Sequence, residues 1–253
     1  MTSKVERKNI LITGASSGLG EGMARLFAAK GRNLAICARR TDRLETLAEE
    51  LRAKYPGIKV AVRALDVNDY DAVFRVFKEF DEELGGIDRV IANAGMGKGA
   101  PLGTGKFKAN LQTAQTNFLG LLAQCEAAME IFLARKNGHL VVISSISAVR
   151  GFAGPMTVYA ATKAAARSLA EGIRLQNYNK PISVTTLMPG YIESEMTGKA
   201  DSTKFMVSAE EGCKALVDAI EKEPDEAIVP AWPWVPMTKA MAVAPISVLK
   251  KMM

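Results

Sequence analysis

Tyr159 and Lys163 have the types and the spacing that could move a proton. They stand four positions apart, and the alanines around them favour a helix, which would place them one turn apart on one face. A tyrosine normally loses its proton at about pH 10, but a neighbouring cation stabilises the phenolate and lowers that pKa. The pair therefore predicts an enzyme in which Tyr159 donates or accepts a proton and Lys163 supplies the cation.

A group of serines precedes this pair and could support it. Ser144 and Ser145 directly follow the apolar run from His139 to Ile143, and Ser147 lies two positions beyond Ser145. If the run is a strand, Ser145 lies at its carboxyl end and Ser144 points to the opposite face. This pattern favours Ser145 as the partner of Tyr159 and leaves Ser147 as the alternative.

A glycine-rich turn near the N-terminus could hold a phosphate group. It follows the apolar run from Asn9 to Thr13 and leads into helix-forming residues from Glu21 to Lys30. Backbone N–H groups at the start of a helix can face a pyrophosphate, and glycines let the backbone come close to it. The spacing is GxxxGxG and not the commoner GxGxxG, so a merely structural turn is the alternative. We interpret the turn as a cofactor site formed by Gly14, Ser16, Ser17, Gly18, Leu19 and Gly20.

The next two apolar runs end in residues that could bind an adenosine. The run from Asn33 to Ala38 precedes Arg39 and Arg40, where dinucleotide-binding folds place an acid for the ribose hydroxyls or an arginine for a 2′-phosphate. Because two arginines replace the acid, we expect NADP(H) in preference to NAD(H), although both could be ordinary surface charges. Asp66 and Val67 follow the third run and could contact the adenosine, or Asp66 could cap the next helix.

Apolar runs and helical patterns alternate along the whole chain, which is typical of an α/β fold with a parallel, doubly wound sheet. A long helix is predicted from Phe107 to Lys136. The predicted strands are Asn9–Thr13, Asn33–Ala38, Ile58–Leu65, Asp88–Ala92, His139–Ile143, Ile182–Leu187 and Ala227–Val229. Such sheets bind ligands at the carboxyl ends of their strands. The residues just beyond these ends include Gly14, Arg39, Asp66, Asn93, Ser145 and Pro189.

Composition limits the class of protein. With 253 residues and 48% hydrophobic content the chain can bury a large core, which argues against disorder. The net charge of +6 comes without a dense basic stripe or stacking aromatics, so we expect no nucleic-acid partner. No CxxC pair occurs among Cys37, Cys125 and Cys213, and the sequence has only one histidine, His139, that could bind a metal with them. This argues against a metal site and for reduced thiols in the cytoplasm. The polar start of the chain is not a secretory signal, and no uncharged apolar run reaches membrane-spanning length.

Several motifs, in this order and at this spacing, resemble the short-chain dehydrogenase/reductase family. They are Thr13-Gly14-Ala15-Ser16-Ser17-Gly18-Leu19-Gly20, Asn93-Ala94-Gly95, Ser145, Tyr159-Ala160-Ala161-Thr162-Lys163 and Pro189-Gly190, and the match runs roughly from Lys8 to Pro230. The resemblance implies a single Rossmann-like domain over residues 1–253, with seven parallel strands and helices on both faces. It implies the interconversion of an alcohol and a carbonyl with NADP(H). It also implies a homodimer or homotetramer formed through the helices near residues 107–136 and 155–178.

The resemblance implies roles for individual residues as well. Tyr159 would be the general acid/base, Ser145 would orient and polarise the substrate oxygen, and Lys163 would lower the tyrosine pKa and bind the nicotinamide ribose. Asn117 would hold a water in the proton relay. The further cofactor contacts would be Asn93, Ala94, Gly95, Pro189, Gly190, Ile192 and Ser194. Ser145 lies fourteen positions before Tyr159, one more than the family usually shows, whereas Ser147 lies twelve positions before it.

The substrate is expected to be a small carbonyl compound or alcohol with an apolar body. Its walls would come from the segments 96–106, 147–156 and 191–206, which are rich in glycine, methionine and apolar residues. The final segment, 231–253, contains two tryptophans and three lysines but no acid. We favour its packing on this subunit or a neighbouring one, with a lid over the substrate or contact with a membrane surface as alternatives. The alternative to an enzyme is a non-catalytic NADP-binding regulator or a membrane-associated scaffold.

Overall fold

One sheet of seven parallel strands forms the centre of the protein, and the computed structural model describes residues 6–195 and 205–252 around it. The strands are β1 (Asn9–Thr13), β2 (Asn33–Ala38), β3 (Val60–Ala64), β4 (Arg89–Ala92), β5 (Gly138–Ile143), β6 (Ile182–Pro189) and β7 (Glu226–Val229). Their spatial order is β3-β2-β1-β4-β5-β6-β7, so the order reverses between β1 and β4. Doubly wound sheets bind ligands at the carboxyl side of that point. The predicted α/β fold class is confirmed.

Helices cover both faces of the sheet. They are α1 (Gly18–Ala29), α2 (Thr41–Lys54), α3 (Tyr70–Leu84), α4 (Phe107–Ala114), α5 (Gly120–Arg135), α6 (Met156–Gln176), α7 (Ala209–Lys222), α8 (Trp234–Val243) and α9 (Ile246–Met252). One buried cluster contains side chains of α1, α2 and α7, and a second contains side chains of α3, α5 and α6. β2, β4 and β5 are buried along their whole length, which is why consecutive apolar residues follow the polar residue near the start of each strand.

The predicted helix from Phe107 to Lys136 is present, but its pitch changes in the middle. Residues Gln115–Leu119 form a π-helical turn between α4 and α5. Such a turn accommodates an extra residue and is frequent at functional sites. The stretch Phe107–Arg135 is also long and apolar enough to cross a membrane by composition, but 56% of its most apolar window is buried inside the protein, as in a core helix.

The start of α3 differs from the prediction that Asp66 could cap it. The cap is Asp69, whose carboxylate accepts a hydrogen bond from the Ala72 amide at 3.1 Å. Asp66 instead accepts hydrogen bonds from the backbone and side-chain amides of Asn68. Asp66 therefore shapes the turn that follows β3, because its position is three residues too early for it to reach the helix amides.

A buried polar network lies at the opposite, amino edge of the sheet. Arg89, at the start of β4, is only 1% exposed and donates hydrogen bonds to His139 Nδ1 at 2.8 Å and to Glu221 at 2.7 Å. It also binds Glu223 at 3.1 Å, and Glu223 accepts a further hydrogen bond from Arg7 at 2.9 Å. Burial acts to raise the pKa of Glu223, but its charged partners, Arg7 first among them, hold that pKa at about 2. The network thus joins the N-terminal segment to β4, β5 and the end of α7.

Candidate active site

The carboxyl ends of β1 and β4 are held together beside the glycine-rich turn. The Thr13 hydroxyl accepts hydrogen bonds from the backbone amides of Asn93 and Ala94, each at 3.0 Å. A Cβ added at Gly14 would lie 2.9 Å from the Ala94 Cα, and Gly14 has a φ of +66°, which L side chains rarely adopt. The cap residue of α1, Ser17, makes no side-chain hydrogen bond to that helix. The first amides of α1 are therefore available to an anion at this edge of the sheet.

Arg40 faces the glycine turn from the end of β2. Its Nε donates to the Ser16 hydroxyl at 3.3 Å, and its Nη2 donates to the Ser17 hydroxyl. Its Nη1 pairs at 3.0 Å with Glu195, which also pairs with Arg43. Hydrogen bonds from Arg43 and Arg40 lower the pKa of Glu195 to about 2, so its carboxylate is ionised at neutral pH. A guanidinium and two hydroxyls thus lie together beside the start of α1.

Arg39 has a different environment, although the two arginines are neighbours in sequence. Its side chain is 70% exposed, against 42% for Arg40, and it pairs with Asp66 at 3.9 Å. Sequence reasoning treated both as candidate phosphate ligands, and both lie near the end of β2. Of the two, Arg40 is the one that the structure brings into contact with the glycine turn.

Tyr159 and Lys163 lie one turn apart on α6. The Ser145 hydroxyl and the Tyr191 phenol both lie near enough to the Tyr159 phenol to act on its pKa. Burial raises the pKa of Tyr159, the Ser145 hydroxyl acts to lower it, and Tyr191 acts to raise it. Two hydroxyl groups from separate parts of the chain, one after β5 and one after β6, therefore lie near this phenol.

Lys163 is buried, and its ammonium donates to the Ile143 carbonyl at 2.9 Å. The ammonium lies 5.8 Å from the centroid of the Tyr159 ring. Burial lowers the pKa of Lys163 to about 8, because the charged form loses its water. Burial, and not the lysine, dominates the pKa of Tyr159 in this arrangement, so the predicted lowering of that pKa by Lys163 stays a prediction.

The structure brings Ser145, rather than Ser147, to the Tyr159 phenol. Ser145 precedes a single 3₁₀ turn, Ile146–Val149, and its hydroxyl accepts a hydrogen bond from the Ser147 amide at 3.2 Å. Ser144 points the other way, as strand alternation predicts, and donates to the Lys163 carbonyl at 2.8 Å. The Ser147 hydroxyl is buried without a hydrogen-bond partner among the described residues.

Asn117 lies in the π-helical turn and holds the chain that follows β4. Its Oδ1 accepts from the Met96 amide at 2.8 Å, and its Nδ2 donates to the Met96 carbonyl at 2.9 Å. The same Nδ2 donates to the Thr162 hydroxyl on α6 at 3.3 Å. A Cβ added at Gly95 would lie 3.3 Å from Asn117 Oδ1 and 3.6 Å from Lys163 Nζ. Asn117 therefore connects the candidate cofactor edge to the helix that carries Tyr159.

The loop after β6 crosses toward the glycine turn. A Cβ added at Gly18 would lie 3.4 Å from the Cβ of Ser194, and Ile192 pairs with Val207 in an isolated bridge. Residues 196–204 of the predicted substrate wall 191–206, and Met253 of the final segment, lie outside the described residues. The other predicted cofactor residues lie at strand ends or helix starts on the same edge: Leu19, Gly20, Val67, Gly95, Pro189 and Gly190.

Two residues at this site carried no specific signal in the sequence. Tyr191 was only part of a predicted wall, and Trp234 was only part of the final segment. The Trp234 ring meets the Tyr191 ring edge to face, with 5.1 Å between centroids. A Cβ added at Gly190 would lie 2.1 Å from Trp234 Nε1, so glycine at that position is what admits the indole. The Pro-Gly motif after β6 was the signal that could have located both.

Comparisons with known proteins agree with this geometry. A family model described as short chain dehydrogenase matches residues 8–205. The chain is 57% identical over 245 residues to an uncharacterised oxidoreductase of Mycobacterium tuberculosis, with 97% of each protein covered. It is 33% identical over 201 residues to an NADP-dependent 3-hydroxy acid dehydrogenase of Schizosaccharomyces pombe, covering 77% of this chain and 75% of that protein. A short-chain dehydrogenase from Sphingobium yanoikuyae in complex with NADPH superposes with a TM-score of 0.80 at 26% identity, covering 96% of this chain and 95% of the other.

Proposed function

The chain belongs to the short-chain dehydrogenase family, and from that membership we propose that it is an NADP(H)-dependent oxidoreductase acting on a carbonyl or alcohol of apolar character. Tyr159 is its general acid/base. The observation that carries this proposal is the position of Tyr159 one helical turn from the buried Lys163, with the Ser145 hydroxyl near the phenol. These groups lie at the same sheet edge as the glycine turn, so a nicotinamide cofactor bound along that edge would end beside them.

The residues present fit such a cofactor. The backbone approach at Gly14 leaves no room for a side chain, and the uncapped amides of α1 suit a pyrophosphate. When bound, the cofactor supplies or accepts the hydride at the substrate carbon. Asn93, Ala94 and Gly95 would border it, and Lys163 would bind its ribose hydroxyls with the N–H donors that Ile143 does not use.

Proton transfer is the task of the protein in this proposal. In the reductive direction Tyr159 donates its proton to the carbonyl oxygen as the carbon becomes tetrahedral, which yields the alcohol and leaves a phenolate. Ser145 donates a hydrogen bond to the same oxygen and stabilises its developing charge. The buried ammonium of Lys163 stabilises the phenolate, which then takes a proton from the relay that includes Asn117.

The NADP(H) preference rests on Arg40. Its guanidinium already bonds two hydroxyls of the glycine turn, so a 2′-phosphate entering there would meet a positioned cation with Ser16 and Ser17 as further donors. Arg39 would approach the phosphate from the exposed side. The 3-hydroxy acid dehydrogenase relative, named as NADP-dependent, supports the same preference.

The apolar character of the substrate rests on the aromatic side chains beside Tyr159. Trp234 contacts Tyr191 edge to face and also meets the Phe205 ring at 6.3 Å. These rings would form one wall of the space in front of the phenol. An apolar body gains from contact with such rings, because that contact removes apolar surface from water.

The assembly proposed is a homodimer or homotetramer in the cytoplasm. Leu133 on α5 and Leu175 on α6 remain exposed although they are apolar. In the final segment Trp234, Met241 and Leu249 are buried, whereas Trp232, Val243 and Ile246 are exposed. We assign Leu133, Leu175, Val243 and Ile246 to contact with a second subunit. The peripheral membrane role would instead be favoured if the wild type co-sediments with vesicles at a concentration where light scattering shows that it is oligomeric.

The Tyr159→Phe variant tests the catalytic proposal, and Tyr178→Phe is its matched control because Tyr178 is 82% exposed. Turnover on a panel of ketones and aldehydes should fall by about a hundredfold to ten-thousandfold in Tyr159→Phe, the range that general acid–base catalysis contributes. NADPH binding, followed by nicotinamide fluorescence, should stay within about threefold of the wild type. Retained turnover in Tyr159→Phe would refute the role of this phenol. Absence of turnover by the wild type on the whole panel, with NADPH still bound, would favour a non-catalytic regulator.

A further inference from the structure

Trp234 is the residue at this site whose chemistry the proposed function leaves unused. It begins α8 and is 3% exposed, yet its indole Nε1 has no hydrogen-bond partner among residues 6–195 and 205–252. An indole N–H is only a donor, and a buried donor without an acceptor is costly, so natural proteins rarely contain one. An orphan donor of this kind indicates an acceptor that arrives with a ligand or with water.

The position of the indole shows which ligand would meet it. Its five-membered ring fills the space in front of Gly190, directly after the end of β6. Its edge contact with Tyr191 brings it to a residue whose phenol interacts with the phenol of Tyr159. The indole is therefore linked to the Tyr159 phenol through one side chain, that of Tyr191.

We propose that Trp234 Nε1–H donates a hydrogen bond to a second oxygen of the substrate, so that the preferred substrates are carbonyl compounds with a further neutral acceptor, such as an ester carbonyl. This inference rests on the proposed function and names the substrate class of the same site. A neutral acceptor fits better than a carboxylate, because Tyr191 and Phe205 surround the indole with aromatic rings and a charge left there would lose its water. The Ser147 hydroxyl, on the turn that contacts α8, is a second buried polar group without a partner among the described residues.

Substrate pairs test the inference by kinetics. Ethyl 3-oxobutanoate and 2-heptanone have the same chain length, and only the former carries an ester carbonyl beyond the reacting ketone. We expect the wild type to favour the keto ester in kcat/KM by about tenfold, and we expect Trp234→Phe, which keeps an aromatic ring and removes the donor, to abolish this preference. Because Trp234 also forms part of the substrate wall, the readout is the ratio of kcat/KM for the two substrates, and Trp232→Phe, at an exposed position, should leave that ratio unchanged. Equal losses on both substrates, or a wild type without the preference, would overturn the inference, as would a preference for 3-oxobutanoate over its ester.

Nuclear magnetic resonance of the indole proton gives a second test that does not depend on turnover. In the Trp232→Phe variant the ¹⁵N-labelled indole signal of Trp234 stands alone, because the chain has two tryptophans. Addition of ethyl 3-oxobutanoate to the NADP⁺ complex should move the indole proton downfield, whereas 2-heptanone should not. A signal that is already downfield without substrate and does not move would show a partner within the protein or a fixed water, and would overturn the inference. An indole proton signal that does not move, in a protein that reduces both ketones with equal kcat/KM, would contradict this inference and leave the proposed function intact. Retained turnover in Tyr159→Phe would contradict the proposed function.

Discussion

Replacing Arg40 by alanine is the sharpest test of cofactor choice that the structure offers. Arg40 makes hydrogen bonds to Ser16 and Ser17 on one side and to Glu195 on the other, so its guanidinium is already oriented toward the start of α1. A charge-assisted hydrogen bond contributes about 1.5–3 kcal/mol. Because the side chain is 42% exposed, solvent screening places the value near the lower end. About 1.5 kcal/mol corresponds to about a tenfold weaker Kd.

The expected result is therefore a loss of about tenfold in NADPH affinity in Arg40→Ala, with a change of less than twofold for NADH. Titration of nicotinamide fluorescence at low and high ionic strength measures both constants. The loss for NADPH should shrink at high salt, because a half-exposed cation and a phosphate are screened. NADH carries no 2′-phosphate and should show no such dependence.

Two variants make the result specific to the geometry. Arg43→Ala removes the other arginine that pairs with Glu195 but makes no contact with the serines, so it should leave the ratio of NADPH to NADH affinity unchanged. Arg39→Ala should reduce that ratio less than Arg40→Ala, since Arg39 is the more exposed of the pair. Equal losses of NADPH and NADH in Arg40→Ala would refute the assignment of this arginine to the phosphate. A wild type that binds both cofactors equally would refute the NADP(H) preference itself.

Two further predictions concern buried charge. The pKa of Lys163 is about 8 in the folded protein against 10.5 for an exposed lysine, so between these values the unfolded chain holds more protons and stability rises with pH. In urea unfolding without cofactor, the free energy of unfolding of the wild type should rise by up to about 3 kcal/mol relative to that of Lys163→Met between pH 7 and pH 10.5. A difference between the two proteins that does not change with pH would mean that the ammonium is solvated. Arg89→Met should lower the free energy of unfolding by about 3–5 kcal/mol, because Glu221 and Glu223 lose a buried cation. Arg75→Met, at an exposed ion pair, should cost less than about 1 kcal/mol, and similar losses in the two variants would contradict the burial argument.

Local sequence was sufficient where neighbouring residues determine the structure. The apolar runs predicted all seven strands, because strands in the interior of a parallel sheet are rich in consecutive apolar residues. The spacing of Tyr159 and Lys163 predicted their shared helical face, because the helix period fixes it. The glycine turn was also recognisable from local sequence, because the positive φ at Gly14 strongly favours glycine.

Sequence reasoning was weaker where the structure depends on residues far apart along the chain. It could not separate Arg39 from Arg40, because the contact with Ser16 depends on how β2 lies against the start of α1. It could not place Trp234 at the site, because the indole meets Gly190 and Tyr191 only after α8 folds back over the end of β6. The serine at Tyr159 was predicted as Ser145 with Ser147 open; the Ser145 hydroxyl lies near the phenol, and its catalytic role stays a prediction.

The network at the amino edge of the sheet also limits the order in which parts of the protein can fold during synthesis. Arg7 and Glu223 are bonded across a separation of 216 positions, and Arg89 depends on the same glutamate. Arg89 cannot gain its carboxylate partners until α7 has left the ribosome, so a nascent chain that lacks α7 must keep this guanidinium in water. The start of β4 can therefore be buried only near the end of translation. Contacts between residues this distant along the chain are expected to slow folding, because the long loop between them must close first.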